Sequence, residues 1–215
     1  MPSTPLATPE TPRHLISEQP CDLRYVTAPE LNLSLWRRRP IETVEREVAC
    51  LRATDLPDIR CRTSPPTFDE DIGALLSAQG LNPSAFSAWL ADLRRLADLF
   101  FAVCAGREVS VRLETTDADG CPRFHVDRTY LRLLCTYRGP GTEWLTDEQV
   151  DRDAQASGAP NARIVRIGEP CRFLPFWVGI LKGDAYPGNA GRGLVHRSPP
   201  TAGSGQTRVL FCLDC

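Results

Sequence analysis

The sequence predicts an α+β fold in which N-terminal helices pack on one face of an antiparallel jelly-roll barrel. Apolar residues recur at helical spacing over residues 83–104, and from Val109 onward they alternate with polar residues, as in half-buried strands. The later strands are short and are separated by Gly and Pro without long helices between them. This arrangement favours an antiparallel barrel or double-sheet jelly roll over a parallel α/β sheet.

The chain divides into three predicted parts. Residues 1–20 carry four prolines in the first dozen positions and are predicted to be a disordered tail. Residues 21–108 are predicted to be mainly helical, and residues 109–215 to form the jelly-roll portion. The two portions are expected to pack as one compact unit.

One strand and three helices are predicted in the helical portion. Each helix has a proline near its start or a glycine at its end. The stripe of aromatic and leucine residues on the longest helix indicates core packing rather than a cofactor site. A proline-marked loop is predicted over residues 52–66. The predicted elements are a strand over 31–36 and helices over 41–51, 68–79 and 83–104.

Alternation and turn residues define the extended segments of the jelly-roll portion. The polar residues 146–160 are predicted to be a loop with one helical turn. The predicted extended segments cover residues 109–114, 123–128, 130–137, 162–167, 176–181, 193–197 and 208–213.

Composition excludes some partners. A formal net charge of -2 provides no basic field for nucleic acid or anionic lipid. The most apolar stretch, residues 173–181, is shorter than the roughly 20 residues that span a membrane. The first residues lack the pattern of a secretory signal, so the sequence predicts a cytoplasmic protein with no nucleic-acid or membrane partner.

Nine cysteines are expected to be reduced thiols in that compartment. They are scattered, and only Cys212 and Cys215 form a CxxC pair, whereas a zinc ribbon needs two such pairs. Most of them are therefore predicted to be small, buried packing residues. A structural zinc or redox role for the Cys212/Cys215 pair stays open.

The histidines suggest a metal site. The chain has three, and His14 falls in the predicted tail. His125 and Asp127 stand two residues apart in an extended segment, so their side chains project from the same face. His196, on a later strand, can supply a third ligand. Two histidines and one carboxylate on one face of a metal are the arrangement of non-haem iron(II) oxygenases.

A cation after the last histidine extends the pattern. Arg208 follows His196 by twelve residues and opens an apolar strand. Its guanidinium can bind a carboxylate bidentately, as an enzyme that uses 2-oxoglutarate requires. Tyr137 and Lys182 are candidates for a second polar contact to that cosubstrate, and the spacing selects neither.

The order of HxD, distal histidine and arginine resembles that of the 2-oxoglutarate/iron(II) dioxygenase superfamily, whose fold is a double-stranded β-helix. The segments FHVDRTYLRLLCTYRGPGTEWL and ILKGDAYPGNAGRGLVHRSPP resemble the bacterial domain-of-unknown-function 1826 family, over residues 31–214. No activity is assigned to that family, and its genes often lie beside those of CobW-type metal-chaperone GTPases. The resemblance therefore implies, by analogy, a link to metal homeostasis and to such a GTPase.

Two functions follow as hypotheses. In the first, the protein is a non-haem Fe(II)/2-oxoglutarate-dependent oxygenase of unknown substrate, with iron at His125, Asp127 and His196 and the far carboxylate at Arg208. In the second, it is a non-catalytic, cupin-like protein that binds zinc or iron through the same three residues. A surface strand with an ion-paired histidine is the plain structural alternative to both.

Overall fold

The computed structural model describes residues 13–215, as two β-sheets with helices. In chain order the strands are β1 His14–Ser17, β2 Leu33–Trp36, β3 Ile59–Thr63, β4 Val109–Thr116, β5 Leu131–Arg138, β6 Glu143–Trp144, β7 Cys171–Arg172, β8 Val178–Lys182, β9 His196–Arg197 and β10 Arg208–Asp214. The large sheet has the order β1-β2-β8-β5-β10-β4-β3, and the small sheet has the order β7-β6-β9. Every adjacent pair is antiparallel except β1 and β2.

Helices cover one face of the large sheet and the outer side of the small one. The α-helices are α1 Glu42–Ala49, α2 Phe68–Ala78, α3 Ser87–Val103, α4 Arg152–Ala156 and α5 Asn161–Ile164, and 3-10 helices span Pro20–Thr27, Pro83–Phe86 and Asp147–Gln149. Helices α1 to α3 share the main core with the large sheet, and α4 and α5 share a smaller apolar cluster with residues flanking the small sheet. In the part of the chain that the structure describes, no helix is both long and apolar enough to be a membrane span.

Successive side chains of the central strands point to opposite faces of the large sheet, so neighbouring residues pack in different clusters. On β5, Leu133 packs into the core under the helices, whereas Leu134 packs in a second cluster between the two sheets. On β10, Phe211 and Leu210 divide in the same way. Arg132, Leu134 and Thr136 of β5 and the even-numbered residues of β10 therefore face the small sheet, and this inner face is where the polar site lies.

The fold confirms the prediction in its coarse form, a mixed α/β protein with a large, mostly antiparallel sheet. The predicted portions are not separate layers, since β2 and β3, from residues 21–108, pair with β8 and β4 of residues 109–215. Segment 52–66, predicted to be a loop, contains β3, where Ile59, Cys61 and Thr63 are less exposed than Arg60 and Arg62. Segment 162–167, predicted to be a strand, instead begins in α5, which starts directly after Pro160 and ends at Ile164.

The predicted disordered tail, residues 1–20, includes residues that are folded. His14–Ser17 forms β1, whose residue Ile16 packs in the cluster between the sheets, while residues 1–12 lie outside the described residues. The ring of His14 contacts the ring of Trp144 edge-on, with 5.1 Å between centroids. His14 is therefore part of the folded body, contrary to the prediction, because its segment pairs in parallel with β2.

The cysteine prediction is wrong for several positions. Cys104, at the end of α3, and Cys215, after β10, form a disulfide across 111 residues of sequence, whereas both were expected as thiols. Cys212 and Cys215 do not form a zinc or redox pair, because Cys212 is buried between the sheets and Cys215 packs under the helices. Buried free thiols, as predicted, are Cys135 and Cys212, and exposed ones are Cys21, Cys50 and Cys121.

A buried ion pair fixes α3 to the large sheet. Asp92 on α3 accepts two hydrogen bonds from Arg38, at 2.6 and 2.7 Å, and a third from the hydroxyl of Tyr137 at 2.6 Å. Arg38 also donates through Nε to the carbonyl oxygen of Phe176 at 2.7 Å. Because all of these groups are withdrawn from water, each depends on the others to satisfy its charge or hydrogen bonds.

Replacing Asp92 is expected to destabilise the fold strongly. Asp92→Ala leaves the Arg38 guanidinium buried without its carboxylate, which costs about 3 kcal/mol of unfolding free energy. Asp98→Ala is the matched control, because Asp98 pairs with Arg94 on the exposed side of the same helix and is worth below about 1 kcal/mol. Urea unfolding measures both, and equal losses in the two variants would contradict the assignment.

Candidate metal centre

The three predicted metal ligands converge between the two sheets. Nε2 of His125 lies 3.6 Å from Oδ1 of Asp127, and Nε2 of His196 lies 3.3 Å from Oδ2. One potential ligand atom from each residue lies within 4.8 Å of the others. Within residues 13–215, this is the one group of three such side chains close enough to hold a metal ion together.

A backbone bridge brings the two histidines together. His125 and His196 each donate a backbone N–H to the other's carbonyl oxygen at 3.0 Å, and their ring centroids lie 4.7 Å apart. The regular strand predicted over 123–128 is not formed, since only His125 bridges. The predicted shared face is nevertheless correct, because Phe124 and Val126 pack on the opposite side.

The segment that carries Asp127 packs tightly against the chain after β8. The carbonyl oxygen of Asp127 accepts a hydrogen bond from the backbone of Asp184 at 2.8 Å. A Cβ atom at Gly183 would lie 2.1 Å from the carbonyl oxygen of Thr129 and 2.7 Å from that of Asp127. Only glycine permits so close an approach, which holds the aspartate beside the end of β8.

Each histidine presents Nε2 to the centre. Nδ1 of His125 lies 2.8 Å from the carbonyl oxygen of Arg123, and Nδ1 of His196 lies 3.1 Å from that of Leu194. A proton on Nδ1 donates to these carbonyls and leaves the lone pair of Nε2 free. Backbone carbonyls orient metal-binding imidazoles in the same way in known sites.

The carboxylate of Asp127 has one occupied and one unoccupied oxygen. Nη1 of Arg132 donates to Oδ1 at 2.7 Å, while Oδ2 is buried without a hydrogen-bond partner. A buried carboxylate oxygen left unpaired is costly unless a cation meets it. Two imidazole nitrogens and one carboxylate oxygen suit iron(II) or zinc, so these residues fit a bound metal.

Neighbouring charges set the protonation of the ligands. Burial by itself raises the pKa of Asp127, but His196, His125 and Arg132 together hold that pKa well below its usual range. The hydrogen bond to Asp127 raises the pKa of His125, whereas burial lowers the pKa of His196. At neutral pH, Asp127 is therefore ionised and His196 is neutral, the states that bind metal.

A cavity of about 120 Å³ is lined by the two histidines and by a ring of arginines from both sheets. Three of these arginines are neutralised by carboxylates of the chain. Arg112 pairs with Asp58 and Glu114, Arg132 with Asp127 and Asp214, and Arg197 with Glu143. The fourth is Arg208.

Arg208 is buried without a counter-ion. Only 3% of the residue is exposed, and in the described part of the chain it forms no ion pair. Its Nε donates to the carbonyl oxygen of Pro140 at 3.0 Å, and its Nη2 donates to the hydroxyl of Thr142 at 3.2 Å. Burial lowers the pKa of Arg208 to about 10, so it is still charged at neutral pH. A lone buried guanidinium fits an anionic ligand.

Tyr137 and Lys182, the other predicted cosubstrate contacts, lie on the wrong face of the large sheet. The hydroxyl of Tyr137 bonds to a carboxylate of α3, and Nζ of Lys182 donates to the carbonyl oxygen of Ala28 at 2.6 Å. Alternation along each strand groups both with residues of the main core. Tyr137 shares its face with Leu133, and Lys182 shares its face with Ile180, all of them packed under the helices.

Sequence reasoning missed Arg132, Asp214 and Thr142. Arg132 and Asp214 are charged residues in the apolar strands β5 and β10, at positions that alternation turns toward the small sheet. A charge at such a position indicates a polar site, and this signal was available in the sequence. Thr142 carries no comparable signal, because it lies between strands in a turn-rich segment.

The fold is similar to that of a solved dioxygenase. The Arabidopsis thaliana dioxygenase for auxin oxidation, solved with 2-oxoglutarate, has a TM-score of 0.52 at 12% identity, covering 94% of this chain and 91% of that chain. A Pseudomonas putida prolyl-4-hydroxylase has a TM-score of 0.45 at 10% identity, over 91% and 97% of the two chains. A Kdo hydroxylase, a non-haem Fe(II) dioxygenase, also has 0.45, at 12% identity over 85% and 78%.

Fold and site together define a protein with a dioxygenase-like fold and a candidate His-Asp-His centre. A family model described as "Protein of unknown function (DUF1826)" matches residues 17–214. The chain therefore belongs to the DUF1826 family, which confirms the resemblance seen in its sequence. No curated protein matches the chain.

Metal binding at this centre is expected to weaken at acid pH. Because the pKa of His125 is raised, a metal must displace its proton at any pH below that pKa, and affinity falls by about tenfold per pH unit there. Calorimetric titration with Zn²⁺ near pH 8 and pH 6, in buffers of different ionisation enthalpy, measures both affinity and proton release.

The third histidine provides the matched control for this prediction. His14 lies in β1 and is not part of the cluster, so His14→Gln should keep the pH dependence of the parent protein. A metal affinity that does not change between the two pH values would contradict the proposed protonation of His125.

Proposed function

We propose that this protein is a non-haem oxygenase that uses Fe(II) and 2-oxoglutarate. The observation that carries the proposal is the buried, unpaired guanidinium of Arg208 in the same cavity as His125 and His196. A metal centre alone explains the histidines but gives no reason for a buried cation beside them. A small dicarboxylate explains both, with one end at the metal and the other at the arginine.

We also propose that the two sheets are the halves of a double-stranded β-helix. Their inner faces share one apolar cluster, to which Leu134 and Leu210 contribute from the large sheet and Trp144 from the small one. The metal ligands and Arg208 lie between the same two faces. The likeness to the auxin dioxygenase supports this interpretation of the fold.

Each residue of the site has a separate task in the proposed enzyme. His125, Asp127 and His196 would hold the iron, which together with 2-oxoglutarate supplies the O₂-dependent oxidation of a C–H bond. Arg208 would bind the far carboxylate, and burial would strengthen that ion pair by excluding water. The Thr142 hydroxyl accepts a hydrogen bond from Arg208, so its own proton is free to donate to the same carboxylate.

A second candidate function rests on the donor set itself. Two histidines and a carboxylate also suit zinc, so the same residues would serve a non-catalytic, cupin-like protein of metal homeostasis. A functional link to a CobW-type GTPase belongs to this alternative. It does not account for Arg208, and the two functions differ in whether 2-oxoglutarate binds.

Anaerobic spectroscopy separates the two functions. Adding Fe(II) and then 2-oxoglutarate to the metal-free protein is expected to produce a visible charge-transfer absorption. His125→Ala should abolish this band, because a metal ligand is lost. In air, the parent protein should slowly convert 2-oxoglutarate to succinate, and tight zinc binding with neither the band nor succinate would contradict the oxygenase.

The Arg208 contact has its own test. Arg208→Met is expected to weaken 2-oxoglutarate binding at least tenfold, since a charge-assisted pair of hydrogen bonds is lost, without weakening Fe(II) binding. Arg112→Met is the matched control, because Arg112 lines the same cavity but is already neutralised by Asp58 and Glu114. Equal effects of the two substitutions would argue against a specific site at Arg208.

A further inference from the structure

We infer that Arg132, anchored by Asp214, is a positioning residue that engages one oxygen of Asp127 and leaves the other for the metal. The inference deepens the proposed metal centre and rests on it. Arg132 touches neither of the two histidines in the hydrogen bonds of the structure, so it would act through the ligand Asp127 alone.

Arg132 is held by a cross-strand carboxylate. It lies on β5 directly opposite Asp214 of β10. Its Nε donates to Oδ1 of Asp214 at 2.5 Å and its Nη2 donates to Oδ2 at 2.9 Å, a bidentate pair. Both side chains are largely buried, at 17% and 16% exposure. The guanidinium plane is therefore fixed by the large sheet, independently of any metal.

The remaining nitrogen of Arg132 reaches the metal ligand. Nη1 donates to Oδ1 of Asp127 at 2.7 Å, and Oδ2 has no hydrogen-bond partner. That free oxygen lies 3.3 Å from Nε2 of His196. One carboxylate oxygen is thus engaged by Arg132 and the other, beside His196, is left without a hydrogen-bond partner, which favours attachment of the metal through Oδ2.

The charge of Arg132 and its hydrogen bond to Asp127 predict opposite effects on metal binding when the side chain is removed. The positive charge of Arg132 repels an incoming metal ion. If this repulsion were the main effect of Arg132, removing the side chain should tighten metal binding. Asp214 already neutralises much of this charge. The main remaining effect of Arg132 on the site is therefore its hydrogen bond to Asp127. Loss of the bond should instead weaken metal binding, because Asp127 would be free to rotate or to bind through both oxygens.

Co(II) binding to the full-length metal-free protein tests the inference, because the absorption of Co(II) reports its coordination. Arg132→Met is expected to weaken Co(II) binding about tenfold or more and to alter the visible spectrum. Arg132→Lys, which can keep one of the three hydrogen bonds, and Asp214→Asn, which loosens the anchor, should fall between this variant and the parent. Arg112→Met, in the same cavity, should change neither readout.

The outcomes distinguish the inference from the proposed centre. If the parent protein does not bind Co(II), the centre and the inference are both overturned. If the parent binds but Arg132→Met binds equally or more tightly with an unchanged spectrum, only the positioning role is overturned. Circular dichroism checks the fold, and if Arg132→Met does not fold, Arg132→Lys and Asp214→Asn decide by the same two readouts.

Discussion

Two backbone hydrogen bonds between His125 and His196 are the interaction on which the candidate site depends. They join His125, in the segment that follows β4, to His196, which lies on β9 of the small sheet 71 positions further along the chain. They also set the two imidazoles side by side. Asp127 then completes the cluster from the same segment. Because the bridge is made by the backbone, the arrangement exists before any metal binds, and the histidines need only keep their rotamers.

The charge balance of the cavity would give the proposed site its specificity. Carboxylates of the chain neutralise all but one of the arginines in the wall, and the metal ligands contribute one negative charge for a divalent ion. A ligand that brings one carboxylate to the metal and another to Arg208 would satisfy both remaining charges. The cavity is small and polar, so this match of charge rather than apolar burial would select the ligand.

The sequence was informative about this site where the residues are close in sequence or ordered by a family pattern. HxD spacing, the distal His196 and Arg208 could be found without coordinates. The register of β5 against β10 could not, so the Arg132–Asp214 pair, separated by 82 residues, was missed, as was the Cys104–Cys215 disulfide. Tyr137 and Lys182 were misassigned for another reason: both faces of the large sheet are buried, and polarity alone did not say which face each residue shares.

A crystal structure with Mn²⁺ and 2-oxoglutarate bound anaerobically is the most direct test of the proposed centre, since Mn²⁺ replaces iron without turnover. The expected result is an ion bonded to Nε2 of both histidines and to Oδ2 of Asp127, with the far carboxylate of 2-oxoglutarate against Arg208. An ion bound elsewhere, or a cavity in which Arg208 meets no carboxylate at saturating 2-oxoglutarate, would contradict it.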